Sequence, residues 1–243
     1  MKEIYLVDEL LQTDDGDVFW KVARKELVLS LMDNSKQKKV LEVGCGTGYM
    51  SADIAKNGHS VIATDVSDEL IEVARQNNGE MDIKFEVLDI TKNVLNERFD
   101  YVIALDVLEH IEDDSTALGN MGKMLCDGGK LILTVPTAPR LYGPMDELWG
   151  HYRRYSKERL VKILKENGFE IDMLRYWNLG MIPFVFFGAT IFRMRYYPRI
   201  RKGAHKRIIS GLVNRLITQY YLKFENEIDP KNGMTLVCRA RKV

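Results

Sequence analysis

The sequence predicts an α/β fold, a parallel sheet with helices on both faces. Three observations predict it. A short apolar run, Val40-Leu41-Glu42-Val43, passes directly into Gly44-Cys45-Gly46-Thr47-Gly48. Strand-like apolar runs then alternate with helical segments as far as Val135. A chain of 243 residues, 46% of them apolar, is long enough to bury such a sheet.

Residues 1–17 are rich in Asp and Glu and read as an acidic surface segment. The apolar positions between Val18 and Met32 predict a helix on which Trp20 and Arg24, four apart, share a face. After the glycines a helix runs to about Lys56, where Asn57-Gly58-His59 stops it. Ser60–Thr64 is the second strand, with Asp65 at its carboxyl end and Ser67 placed to cap the next helix. Met81–Val87 alternates as a third strand, followed by Asp89-Ile90. Phe99–Asp106 is the fourth, leading into Val107-Leu108-Glu109-His110-Ile111. A helix over about Asp114–Cys126 and a turn at Asp127-Gly128-Gly129 precede the fifth strand, Lys130–Val135, which Pro136 ends. A loop to Tyr155 follows, then a helix capped by Ser156 and stopped at Gly168. Phe169–Trp177 and Gly233–Ala240 are the last two strands.

The glycine loop narrows the ligand. A dinucleotide fingerprint would need glycine at 49, where Tyr49 stands, and the P-loop lysine with its Ser/Thr is missing. What remains is an acid, Glu42, followed by glycines at alternate positions. In an open α/β sheet, ligands sit outside the carboxyl ends of the strands, which puts Leu105 and Asp106 at the mouth of the cleft. Asp65 lies about 20 residues past the glycines, where an acid accepts hydrogen bonds from ribose hydroxyls.

The glycine loop, Asp65, Asp89 and the Phe99–Ile111 segment, in this order and spacing, resemble the class I S-adenosylmethionine-dependent methyltransferases, most strongly over residues 38–136. Trp20 with Arg24, and the Asp146-Glu147…Gly150-His151-Tyr152-Arg153-Arg154-Tyr155-Ser156 loop, are similar to a bacterial and archaeal subfamily often associated with glycan pathways. The resemblance implies a Rossmann-like doubly wound sheet of seven strands, ordered 3-2-1-4-5-7-6 with the last strand antiparallel. It implies S-adenosyl-L-methionine as cofactor and S-adenosyl-L-homocysteine as product. Cofactor contacts are then expected from Arg24, Glu42, Gly44, Gly46, Gly48, Asp65, Val66, Asp89, Ile90, Leu105 and Asp106. Arg24 would approach the cofactor carboxylate, Asp89 the adenine amino group, and Ile90 the ring.

Transfer to a hydroxyl needs a base, and His110 and His151 are the candidates because imidazole titrates near neutrality. Arg153, Arg154 and Tyr155 are candidate acceptor ligands for a carboxylate or phosphate. The alternative is that both arginines pair with the acidic N-terminal segment and lock the loop. Asp106, Glu109 and His110 also resemble the metal-binding acidic pattern of quinone-biosynthesis O-methyltransferases, but no metal is expected, since Glu109 and His110, adjacent on a helix, point apart.

Charge is lopsided although the total is zero. Residues 173–224 hold ten Lys or Arg and no Asp or Glu, so the remainder carries a net −10. This stretch reads as a helical insertion over 179–232, within one methyltransferase domain made of 1–37, the sheet core 38–178 plus 233–243, and the insertion. Leu179–Phe192 is almost wholly apolar but shorter than the ~20 residues a membrane span needs. Seven cations lie within 193–207, ahead of an apolar-faced helix. A lid, a contact with an anionic membrane surface, a homodimer interface and a merely solvated subdomain all stay open. No nucleic acid is expected, because no nucleic-acid module accompanies the charge. Cys45, Cys126 and Cys238 have no metal-like spacing and fit a reducing compartment; with no signal-peptide core, the chain is expected in the cytoplasm. Two functions stay open: a methyltransferase acting on a small anionic, glycan- or lipid-linked acceptor, with O-methylation favoured, and a non-catalytic cofactor-binding scaffold.

Overall fold

The computed structural model describes residues 18–33, 36–182 and 211–243. The acidic segment 1–17, the seven cations within 193–207 and most of the apolar run before them lie outside the described residues. Seven strands form one sheet in the order β3-β2-β1-β4-β5-β7-β6. They are β1 (Lys39–Val43), β2 (Ser60–Asp65), β3 (Ile83–Val87), β4 (Phe99–Leu105), β5 (Leu125–Pro136), β6 (Phe169–Trp177) and β7 (Thr235–Lys242). β7 runs antiparallel to both β5 and β6, and the remaining pairs are parallel.

Alternation within each strand divides the apolar side chains between two layers. Leu41, Val43, Val102 and Ala104 face α4 (Asp114–Met124) and α6 (Lys157–Glu166) in one core. Val40, Tyr101 and Ile103 face the other core with Val28 of α1 (Phe19–Ser30), Ile54 of α2 (Tyr49–Lys56) and Ile71 of α3 (Asp68–Asn77). Strands covered on both faces read as near-continuous apolar runs, which is why they stood out in the sequence. Ser67 caps α3 by accepting from the Leu70 N–H, and Ser156 caps α6 from the Arg159 N–H.

Two boundaries differ from expectation. The helix α4 ends at Met124, and the Asp127-Gly128-Gly129 turn lies inside β5. Pairing with β4 jumps from Phe99↔Leu125 to Tyr101↔Lys130, so the glycines form an irregularity within a longer strand. The loop after β5 also holds structure of its own, the short α5 (Pro144–Leu148) and a parallel bridge from Thr137 to Tyr155.

The insertion returns as α7 (Gly211–Tyr220) and a π-helical turn, Tyr221–Glu225. Both dock on α1. The Phe19 N–H donates to Asn214 Oδ1 (2.9 Å), and Asn226 Nδ2 donates to the Ala23 carbonyl (2.9 Å). Ala23 and Leu27 are buried with Trp177, Tyr221 and Val237. Glu225, fully buried, accepts from the Leu179 N–H and the Tyr220 hydroxyl.

Candidate active site

A cavity of about 800 Å³ opens at the carboxyl ends of β1 to β4. Its residues follow the order of the sheet: Asp89 and Ile90 after β3, Asp65 and Val66 after β2, Gly44 and Gly46 after β1, Leu105 and Asp106 after β4. Trp20, Arg24 and Tyr49 close it from the α1 side.

The glycine loop has the backbone that its composition anticipates. Gly44, Gly46 and Gly48 have φ of +73°, +55° and +79°, where a Cβ is strained. A Cβ on Gly44 would lie 2.5 Å from Val107 Cγ2, so the β1 and β4 exits pack backbone against side chain. Gly48 departs from expectation. It does not line the cavity; it is the N-cap of α2, and a Cβ there would meet Asn78 and Phe85 at 2.9 Å. Its glycine serves the packing of the loop.

Asp65 ties the loop to β2. Its Oδ2 accepts from the Gly46 N–H and its Oδ1 from the Ser67 N–H, both at 3.0 Å. Burial raises its pKa, and those backbone donors act against the rise. Asp89 accepts from the Thr91 hydroxyl at 2.6 Å and from Lys92 at 2.8 Å, which hold it below the usual carboxylate range. Both carboxylates still face the cavity with lone pairs to spare. Glu42 is buried and accepts from Ser51; burial lifts its pKa to about 8.

At the β4 end, Asp106 takes φ of +54°, which Asp tolerates through its short polar side chain. Thr134 fixes it: the Asp106 N–H donates to the Thr134 carbonyl at 3.0 Å, and the Thr134 hydroxyl donates to Asp106 Oδ1 at 2.9 Å. Arg24 pairs with Asp106 Oδ2 and lies 5.5 Å over the Trp20 ring. Burial alone would weaken the Arg24 charge, and the adjacent Asp106 outweighs it. Two donors in this wall, Arg24 Nε and the Tyr49 hydroxyl, are buried without a partner among the described residues. Such groups are costly unless something accepts from them. A ligand carboxylate would satisfy both.

His110 lines the same cavity together with Ile111, Glu112, Asp113 and Thr116, the last three not anticipated from sequence. Burial, then the neighbouring His151, lowers the His110 pKa to about 4. The two imidazoles stand edge to face at 4.7 Å.

His151, Arg153, Arg154 and Tyr155 do not line the cavity. Arg153 donates to the Ile111 and Glu112 carbonyls at 3.0 and 2.7 Å and pairs with Asp114 at 2.9 Å. Arg154 donates through Nε to Asp146 at 2.7 Å. Tyr155 is fully buried and its hydroxyl donates to Asp114 at 2.8 Å. The structure thus corrects their placement: the three side chains that the sequence offered as acceptor ligands brace the loop against the β4 exit. Their described partners are Asp114 and Asp146, where the sequence alternative had pointed to the N-terminal segment.

A doubly wound sheet with a glycine-cradled, acid-lined cavity at its switch point defines a nucleoside-binding α/β protein. The sequence model of the family described as a methyltransferase domain matches residues 18–174, and the chain belongs to that family. It is 36% identical over 104 residues to a ubiquinone biosynthesis O-methyltransferase of Coxiella burnetii (strain Dugway 5J108-111), covering 41% of this chain and 44% of the relative. It is 33% identical over 114 residues to the protein of the same name from Pseudomonas fluorescens (strain SBW25), covering 45% and 49%. The chain thus spans less than half the length of these relatives. The fold is similar to that of the N-methyltransferase NodS from Bradyrhizobium japonicum WM9, solved with S-adenosyl-L-homocysteine, at a TM-score of 0.63 and 20% identity over 97% of this chain and 96% of that one.

Proposed function

We propose that this protein transfers a methyl group from S-adenosyl-L-methionine to an oxygen of a small acceptor. The observation that carries the reading is the cavity itself. Two acids stand at its β2 and β3 exits, glycines at β1, and two unpartnered buried donors beside β4. The residues fit the cofactor from end to end. Asp89 with Ile90 takes the adenine, Asp65 with Val66 the ribose, and Arg24 Nε with the Tyr49 hydroxyl the carboxylate. Glu42 and Asp106 are the acids available to the ammonium group.

The cofactor, when bound, supplies an electrophilic methyl on a sulfonium. The protein aligns it, because strand ends and a rigid glycine turn fix both reactants without reorganisation. The acceptor side lies by Ile111, Glu112, Asp113 and Thr116. His110 is neutral at physiological pH and touches that space, so it is placed to take the acceptor proton. The names of the two relatives support oxygen as the attacked atom. Incubation with cofactor carrying a deuterated methyl, a cell extract and the protein should release S-adenosyl-L-homocysteine and one labelled product by mass spectrometry. Tight cofactor binding with no release across extracts would favour the scaffold reading instead.

Glu42 gives the site a pH signature. Below about 8 its carboxyl is protonated in the free protein, and a cationic ligand favours the carboxylate. Cofactor binding should therefore release up to one proton, and affinity should rise with pH toward 8 by at most about tenfold per unit. Calorimetry in buffers of unlike ionisation enthalpy measures the released proton, and Glu42→Gln should abolish it.

A lipid-linked acceptor is the favoured class, on a specific observation. Leu212, Leu216 and Phe224 follow one another along α7 and its π turn with 69%, 61% and 50% of their surface exposed. The chain just before them carries seven cations and no acid. An apolar row beside a basic cluster fits the boundary of an anionic membrane. No helix among the described residues is long and apolar enough to cross one. The protein should co-sediment with anionic but not neutral vesicles, and salt should weaken the binding, since screening acts over about 8 Å at physiological ionic strength. A homodimer that ignores anionic vesicles at low salt would sink this class.

A further inference from the structure

We propose that Asp146 is a positioning residue for proton transfer: it holds His151 by Nδ1–H and leaves His151 Nε2 as the group that receives the acceptor proton by way of His110. This rests on the reading of O-methyl transfer. It adds a residue outside the cavity and divides the labour between the two histidines.

Asp146 is 1% exposed and sits in α5, the short helix inside the loop that follows β5. Three donors converge on its carboxylate: the Gly143 N–H at 3.0 Å, Arg154 Nε at 2.7 Å and His151 Nδ1 at 3.0 Å. Burial would raise its pKa, and the hydrogen bonds from His151 and Arg154 outweigh that and keep it low. An ionised carboxylate only accepts, so His151 Nδ1 must carry the hydrogen and Nε2 the lone pair. The backbone adds a second clamp, the His151 N–H donating to the Asp146 carbonyl at 2.8 Å. His151 therefore has a fixed ring and a fixed tautomer, with an anion behind it to stabilise an imidazolium.

His110 has the complementary properties. It reaches the cavity, which His151 does not, and burial keeps its imidazole neutral. A ring nitrogen of each histidine and a carboxylate oxygen of Glu109 all lie within 4.8 Å of one another, a span that one water bridges, so Glu109 and His110 converge here where their adjacency in sequence predicted that they point apart. Glu109 is buried with Oε2 unpartnered, and burial followed by Asp106 pushes its pKa well above the usual carboxylate range. Asp146 is the carboxylate that His151 contacts directly. Arg154 is held by the same Asp146.

The step balances. The acceptor oxygen forms its bond to the methyl carbon as the carbon–sulfur bond breaks and its electron pair returns to sulfur. The acceptor proton passes to one ring nitrogen of His110. The other ring nitrogen of His110 gives up its hydrogen to a bridging water, which passes one of its own to His151 Nε2, and the imidazolium later loses a proton to solvent.

The test reads ring nitrogens, in protein labelled with ¹⁵N at its four histidines, by long-range proton–nitrogen NMR. His110→Gln assigns the pair. The expected result is His151 protonated at Nδ1 and bare at Nε2 in its neutral form, with His110 neutral down to about pH 5. Asp146→Asn should mix the His151 tautomers, since the amide can face Nδ1 with either its oxygen or its NH₂ group, and draw the two ring-nitrogen shifts together. A merely structural Asp146 would change the melting temperature and leave the tautomer alone. A bare Nδ1 on His151 overturns the proposal, as does a tautomer unmoved in folded Asp146→Asn. So does a stoichiometric divalent ion found by elemental analysis and shown by NMR to occupy these nitrogens. The wild-type spectrum decides the tautomer even if the variant does not fold. All of this is read without an acceptor, so failure here leaves methyl transfer standing, and failure to release S-adenosyl-L-homocysteine leaves the tautomer standing.

Discussion

Gly46→Val is expected to fold and to lose cofactor binding by more than about a hundredfold. Gly46 sits in the cavity wall at φ of +55°, and its N–H donates to the same Asp65 oxygen that holds the loop in place. An L-residue in this region costs about 1–2 kcal/mol, and a β-branched one is a worse fit. The loop relieves that strain by turning its backbone away from Asp65, which misplaces the ribose acid and narrows the cavity together. About 3 kcal/mol of lost binding corresponds to the stated factor. Calorimetry beside circular dichroism checks it, and a folded variant with parental affinity would show that the ligand is not held at this loop.

The second large effect is expected at Arg24. Arg24→Ala should weaken cofactor binding by about 1.5–3 kcal/mol, the range for a hydrogen bond to a charged group. It removes the orphan Nε donor and leaves Asp106 facing the cavity without its cation. Arg24→Lys should recover only part of the loss, since an ammonium cannot reach Asp106 and a ligand carboxylate with one planar fork. Affinity and melting temperature separate the roles. A lower melting temperature with unchanged affinity would make Arg24 a brace for Asp106 and nothing more.

Much of this site was legible because its residues are set by local rules. A strand ending in glycines, an acid at the next strand's carboxyl end and an apolar run closing on Asp106 each carry a short-range signature, and the sheet brings those ends together by topology. The loop after β5 was misread for the opposite reason. His151, Arg153, Arg154 and Tyr155 look like a binding cluster when their partners are unknown. Those partners, Asp114 and Asp146, are ordinary surface-type residues in the sequence, and only the fold buries them. Tyr49 was noticed only as a missing glycine. Its role as a buried donor depends on α1 lying across it, with Trp20 edge-on at 6.3 Å. The Gly128-Gly129 turn was placed outside the fifth strand because glycine pairs mark turns more often than they mark irregularities within a strand.

The docking of α1 on α7 bears on how the protein is made. Helix α1 is among the first described segments to leave the ribosome, yet its hydrogen bonds reach 195 and 203 residues down the chain, to Asn214 and Asn226. At a synthesis rate of about 5–20 residues per second, those partners follow roughly 10–40 s later. Through that interval the glycine loop, Asp65 and Asp89 can assemble on β1 to β4, and Trp20 and Arg24 can already meet Tyr49 and Asp106. The other face of α1, with Ala23 and Leu27, waits for Tyr221 and Val237 to cover it. A chain released short of Asn226 therefore leaves the translation machinery with an apolar stripe of α1 only half covered.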